Sequence, residues 1–443
     1  MSLSRFFILP GALLAATAGY IALNPGGSPV AQVAGLPTPT EAHARLVAPA
    51  ATPIPADELP DGLSGKLTYR TGRGQVTVQL PDGSELDRRP VQFGPHALTS
   101  ADGMWTADTG CVSVASVGGV QHCSLVLTAT DGRVRNLQLD IDLQWSRAVQ
   151  WSPASHQLAL LVSGEHGSRL VILNEPYAGS GAASSQRGIG LESNNVSAFA
   201  WTNDIMREDG RTVGGIIAAR GDGTGYALVQ IDADSGEERV LAPLRELPNF
   251  FYPSPDHSMV AFTENSVDGW HLFLYDNRHR DEVRDLGPMG SDGPDGKPVV
   301  QSTPDVKTPM YIAWSPDGKT LAFGGGLEPP YVMTIIDVAS GAMHRTQFPD
   351  GYPGEIAWSP DGTRLAVSTY NLPRTHHESW VVDPATGVAR DVLSGCVIVW
   401  SPDSRFLAIH GEKEPGIAIA DVETLQHAQL THTPGDTPLR WER

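Results

Sequence analysis

Few residues of this chain have the type and spacing that chemistry needs. His376, His377 and Glu378 stand in a row, and imidazole and carboxylate are zinc ligands. Neighbouring positions on a strand face opposite ways, however, so the run does not set two ligands on one ion and reads as a loop. The stretch SDGPDG (291–296) has a calcium-loop flavour but lacks the ordered ligand series and closing Glu of an EF-hand. Trp151, Trp201, Trp314, Trp358 and Trp400 could form a stacking platform; on strands they read as packing between layers, because aromatics bury large areas. Asp256, Asp317, Asp361 and Asp403 recur too regularly for catalysis and read as turn caps. G-x-S-x-G, H-E-x-x-H, a P-loop and a dinucleotide fingerprint are all missing from the sequence. The expectation is no catalytic residue, no metal and no cofactor.

The elements that must position these groups are repeats. IAWSPDGKTLAF (312–323) returns as IAWSPDGTRLAV (356–367) and IVWSPDSRFLAI (398–409). Weaker copies read VQWSPASHQLAL (149–160), FAWTNDI (199–205) and FYPSPDHSMVAF (251–262). A motif recurring every ~40 to 60 residues signals a repeat architecture. Each copy is a β-hairpin: Pro presets φ, Asp bonds backbone N–H groups two residues on, and Gly accepts positive φ. A third strand such as YVMTIID (331–337), a D-x-x-S/T-G turn (337–341, 383–387, 232–236) and a fourth strand (343–348) complete a four-stranded unit.

W-S-P-D-G with its downstream D-x-x-S-G turn resembles the WD-repeat-like repeat of TolB-type β-propellers, and the propeller domains of prolyl oligopeptidase-type peptidases. The resemblance covers residues 65–443 and implies an all-β propeller of four-stranded antiparallel blades. TolB itself carries a separate small α/β domain first, which the few dozen residues before 65 cannot encode, so the Tol role does not carry over. The peptidases carry an α/β-hydrolase domain, for which no G-x-S-x-G is present. A propeller fold by itself leaves function open.

Composition agrees. The chain has 443 residues, with 47 Gly and 35 Pro, which suits many turns. Net charge is −19, which disfavours nucleic acid and anionic lipid head groups as partners. Residues 1–24 place Arg5 before an uncharged apolar run and a small-residue site at Ala16-Thr17-Ala18, the order of a secretory signal. The run is also about long enough to span a bilayer, so a cleaved signal and a retained single-pass anchor are both open. Residues 25–64 are rich in Pro and Ala and read as a linker. The folded domain, 65–443, is thus expected outside the cytoplasm (periplasmic, cell-surface or secreted), as a monomer.

Innermost strands near residues 97, 149, 199, 251, 312, 356, 398 and 439 give eight blades, with seven as the other count. The strand near 66–71 lacks an innermost partner, which the chain's end (438–441) can supply, closing the ring. Strand alternation puts the tight turns on one rim. The opposite rim holds the variable second-to-third loops, the blade links and the long 287–309 connection. Variable loops on a rigid scaffold are where binding sits. Candidate rim residues are Arg220, Trp270, Tyr331, Tyr370, Arg374, His376, His377 and Glu412. Cys111 and Cys123 fall on neighbouring strands and are a disulfide candidate, while Cys396 reads as a buried free thiol. The function expected is a scaffold that binds a protein or cell-envelope ligand. The alternative is a metal-dependent hydrolase or lyase working in the tunnel.

Overall fold

A computed structural model of the chain describes residues 59–443 apart from 72–73, 91–97, 113–121, 140–148, 155–156, 165–166, 174–185, 189–195, 207–211, 222, 249, 267–268, 280–281, 289–310, 326–330, 372–376 and 414. The signal segment, residues 25–58 of the linker and the SDGPDG loop lie outside the described residues.

The repeat motif folds as its residue types dictate. Strand Ile312–Trp314 pairs with Thr320–Gly325, Trp314 opposite Leu321. Between them Ser315 Oγ donates to Asp317 Oδ1 (2.7 Å) and accepts from the Thr320 amide (2.9 Å), while Asp317 Oδ1 also takes the Lys319 amide (3.1 Å). Gly318 sits at φ 69°, in the left-handed region that Gly enters without cost. The same Ser–Asp turn recurs at Ser100–Asp102, Ser254–Asp256, Ser359–Asp361 and Ser401–Asp403. FAWTNDI differs: strand Val196–Met206 runs straight through it, with a register irregularity after Thr202.

Third and fourth strands follow, Tyr331–Asp337 and Met343–Phe348 in this unit. The turn between them is capped by Asp337, whose Oδ1 accepts from the Ser340 amide and hydroxyl. A further copy escaped the Gly-based pattern: Asp421 caps the Glu423 and Thr424 amides, with Leu425 at φ 59° where Gly stands elsewhere.

Among the described residues the strands order into six four-stranded antiparallel sheets and one seven-stranded sheet. The larger sheet is two units joined by one continuous strand, Ala389–Trp400. Its first half pairs with His377–Val382 and its second half with Phe406–Gly411. Each four-stranded unit is named below by the Trp of its innermost strand. The apolar clusters join consecutive units. One spans Ala322, Ile335 and Phe348 of the Trp314 unit and Leu365, Val367 and Trp380 of the Trp358 unit. Another spans Ile398, Leu407 and Ile409 of the Trp400 unit and Ala366 and Val381 before it. Middle strands such as Gly416–Asp421 are buried along their whole length because neighbours cover both faces.

The last strand, Thr437–Glu442, pairs with Gly65–Thr71, Leu67 opposite Trp441. It is the fourth member of the sheet that holds Gly74–Leu80 and Glu85–Pro90. Trp441 Nε1 donates to the Ser64 carbonyl (2.9 Å), and Leu63 is buried in the same cluster. Gly65 is required there: at φ 99°, a Cβ would lie 2.3 Å from the Glu442 carbonyl oxygen.

Candidate binding rim

The repeated tryptophans join neighbouring units. Each indole N–H is committed to a backbone carbonyl: Trp151 to Leu98, Trp201 to Gln150, Trp314 to Tyr252, Trp358 to Ala313 and Trp400 to Ala357, at 2.8–3.1 Å. The turn aspartates likewise give their Oδ1 atoms to their own Ser, Thr and amide donors. Asp317 lies below the usual carboxylate range, first because Ser315 hydrogen-bonds it, and burial only partly opposes this.

At the opposite strand ends, side chains from different units meet. Strand Leu365–Tyr370 ends, and His377–Val382 begins, with Tyr370 opposite His377. Their rings pack edge to face with centroids 4.9 Å apart, and Tyr370 stacks on Tyr352 at 5.8 Å. Glu412 comes from the next unit, just after Phe406–Gly411. Its Oε2 accepts from the His377 amide (2.7 Å) and its Oε1 lies 3.6 Å from His377 Nδ1. Ser394 Oγ donates to the His377 carbonyl oxygen (3.1 Å). Gly354 makes room for the aromatic ring: a Cβ there would fall 1.9 Å from Tyr370 Cε2.

The electrostatics at this junction are acidic. Burial, then the charge of Glu355, pushes the Tyr370 phenol well above its ordinary range, so it stays a neutral donor. Burial, then Glu355 and Glu412, pushes the Cys396 thiol up to about 11. Cys396 is a free thiol, half-buried rather than fully buried as expected, and lies where Ala389–Trp400 passes from one unit to the next, beside a register irregularity. The junction offers a phenol, an imidazole and carboxylates on a frame fixed by the two units of the seven-stranded sheet. Such a surface can hold a polar ligand by hydrogen bonds and stacking.

Of the residues expected on this rim, the structure brings Tyr370, His377 and Glu412 together. Tyr331 is elsewhere, half-buried against the cluster of Phe348 and Trp380. Arg220 lies 3.1 Å from the Glu238 carboxylate. Trp270 is placed opposite Asn265 by its backbone, and its side chain is outside the described residues, as are Arg374 and His376. Sequence reasoning missed Tyr352, Glu355 and Ser394. The first two precede the repeat in GYPGE, where two glycines close to an aromatic were the signal available. Cys111 and Cys123 are directly opposite in the backbone register of Trp105–Val112 and His122–Ala129. Among the described residues, no group of three His, Cys, Asp or Glu side chains is placed to hold a metal ion, and no helix is long and apolar enough to cross a membrane.

No family model matches the chain, and no curated protein matches it. Solved structures do. Dihydro-heme d1 dehydrogenase NirN in complex with DHE matches at 14% identity and a TM-score of 0.50, over 87% of this chain and 75% of that one. A eukaryotic initiation factor matches at 13% identity and a TM-score of 0.49, over 90% and 91%. TolB from Acinetobacter baumannii matches at 13% identity and a TM-score of 0.34, over 80% and 88%. At such identities likeness concerns the fold alone. The chain is all-β, of four-stranded antiparallel sheets in a propeller-like arrangement.

Proposed function

We propose that the chain is an exported propeller that acts as a binding scaffold at the cell envelope, taking a protein or envelope ligand at the Tyr370–His377–Glu412 junction. The observation that carries this is the meeting of three polar or aromatic side chains from two units at one strand end. The ring has eight blades, the Ala389–Trp400 strand serving two of them, and is closed by Thr437–Glu442 beside Gly65–Thr71. The sheet order and the strand pairing support both statements. Residues 1–24 direct export, cleaved or retained as an anchor, 25–64 form the linker, whose last residues Leu63 and Ser64 already pack on the domain, and the protein works as a monomer.

The test is capture of partners from an envelope extract by immobilised domain, wild type against Tyr370→Ala and Glu412→Gln, with and without chelator. Loss of specific partners in the variants supports the scaffold. Undiminished capture ends it. Loss of an activity on chelation, with capture intact, favours the metal-dependent hydrolase or lyase instead. A reporter fused after Pro60 should be active outside the cytoplasm and inactive inside.

A further inference from the structure

At the tight-turn end, between the Trp314 and Trp358 units, lies a cavity of about 580 Å³. That volume suits a small ligand or a large side chain. Two hydrogen bonds between the units flank it. At the inner edge Trp358 Nε1 donates to the Ala313 carbonyl (3.1 Å), and farther out Thr346 Oγ1 donates to the carbonyl of Gly387 in the Asp383–Gly387 turn (3.0 Å). Several other junctions are crossed by side chains. Gln157 meets Asp234 (3.2 Å), Gln230 meets Asn277 (3.2 Å), Arg284 meets the Val338 carbonyl (3.1 Å), and Arg364 meets Glu423 (3.4 Å).

The lining combines apolar faces with acceptors. Ile335, Trp358 and Pro384 supply flat or aliphatic walls, and Asp317, Asp337 and Asp361 open onto the space. Asp337 commits Oδ1 to Ser340, and Asp361 commits Oδ1 to Ser359 and Thr363. Among the described residues, no hydrogen bond reaches the Oδ2 atom of either. Asp317 Oδ2 lies 3.5 Å from exposed Lys319 Nζ. Asp337 lies below the usual carboxylate range, first because Ser340 hydrogen-bonds it, and the like charge of Asp317 opposes this only weakly.

We propose that this cavity binds the guanidinium of an arginine side chain presented by a peptide or protein. A planar, weakly hydrated cation can lie against Trp and Pro faces while its fork of N–H groups reaches two carboxylates; a compact, strongly hydrated ammonium matches neither feature. The net charge of −19 draws such a ligand in. This site is separate from the Tyr370 junction and stands or falls independently of it.

The experiment is calorimetric titration of the protein with N-acetyl-arginine methylamide at low salt, beside its neutral citrulline and its lysine counterparts. Saturable binding of the arginine compound is expected, weakened at least about tenfold in citrulline, and weaker for lysine. The double variant Asp337→Asn/Asp361→Asn keeps each turn's Oδ1 acceptor while removing both charges, and should lose binding at nearly unchanged Tm. Should it fail to fold, Ala385→Trp carries the test, since it fills the cavity from an exposed turn position and should abolish binding. Equal binding of citrulline, equal or tighter binding of lysine, or unchanged binding in a folded variant overturns the proposal.

Discussion

The indole N–H of Trp358 donates to the backbone carbonyl oxygen of Ala313 across 3.1 Å, and so ties the innermost strands of two consecutive sheets. At five junctions the residue before the Trp position of one unit is the acceptor for the next unit's indole, as Ala313 and Ala357 are, whereas Trp441 donates to Ser64. One unit carries Pro253 at the Trp position, and a different side chain reaches back. His257 Nδ1, held at φ 56°, lies 3.0 Å from the Trp201 carbonyl oxygen. The repeat is therefore a motif for joining units as much as for turning a hairpin.

Trp358→Phe keeps most of the buried ring and removes only the donor. The Ala313 carbonyl then loses its partner in a half-buried site, which costs about 1–3 kcal/mol. Urea unfolding should show that loss as a lower midpoint with unchanged slope. A midpoint equal to wild type would remove the joining role from the indole.

Much of this was legible before any coordinates, and the reason is local. Ser-Pro-Asp-Gly and Asp-x-x-Ser-Gly fix φ and cap amides within five residues, so Asp317, Asp361 and Asp383 declared their turns. The Asp421 turn hid because Leu425 occupies a conformation that only its packing allows. The rim was legible as a face and not as a site. Tyr352, Tyr370 and Glu412 come together only because the two units of the seven-stranded sheet align, a relation of long sequence separation that no motif encodes.

The pairing of the chain's two ends should be measurable as stability. Removing residues 437–443 uncovers buried Leu67 and Leu63 and leaves Gly65–Thr71 an open edge. Burying a Leu side chain contributes about 1.5–3 kcal/mol, so the truncated protein should melt many degrees lower. Gly65→Ala should do the same more mildly by pushing on the Glu442 carbonyl. An unchanged Tm in the truncated protein would falsify the shared sheet.

Asp276 governs part of the acid limb. Burial raises its pKa, but hydrogen bonds from Arg278 and His279 outweigh this and hold it at about 2, against 3.8 unperturbed. The folded value is the lower one, so its contribution is full above about pH 4 and fades as pH falls toward 2. Asp276→Asn should lower stability at neutral pH and flatten the decline between pH 4 and 2. Parallel acid unfolding curves for the two proteins would show that Asp276 plays no part.

Cys111 faces Cys123 in the backbone register, at a separation between neighbouring strands that a disulfide can bridge. Protein recovered from an oxidising compartment should therefore show one free thiol on denaturation without reductant, from Cys396, and three after reduction. Native Cys396 should label slowly at pH 8, because burial and the carboxylates of Glu355 and Glu412 keep it protonated. Three thiols without reductant would rule out the disulfide.

Gly354 tests the junction without touching a ligand-facing group. A methyl group there would collide with Tyr370 Cε2, and the Tyr370 ring can yield only by leaving its stack on Tyr352 and its edge contact with His377. Tyr370 is at the end of its strand, so the displacement should cost little stability: a Tm shift of a few degrees, of the order expected for about 1 kcal/mol or less in a domain this large. Partner capture should nevertheless fall as steeply as in Tyr370→Ala, since the aromatic surface is displaced in both. Asp403→Ala provides the converse. It removes the cap that holds the Arg405 amide and the Ser401 hydroxyl at the other end of the strands. That variant should lose stability and keep its partners. If Gly354→Ala captures partners as wild type does while near-ultraviolet dichroism shows the tyrosines displaced, binding does not run through Tyr370.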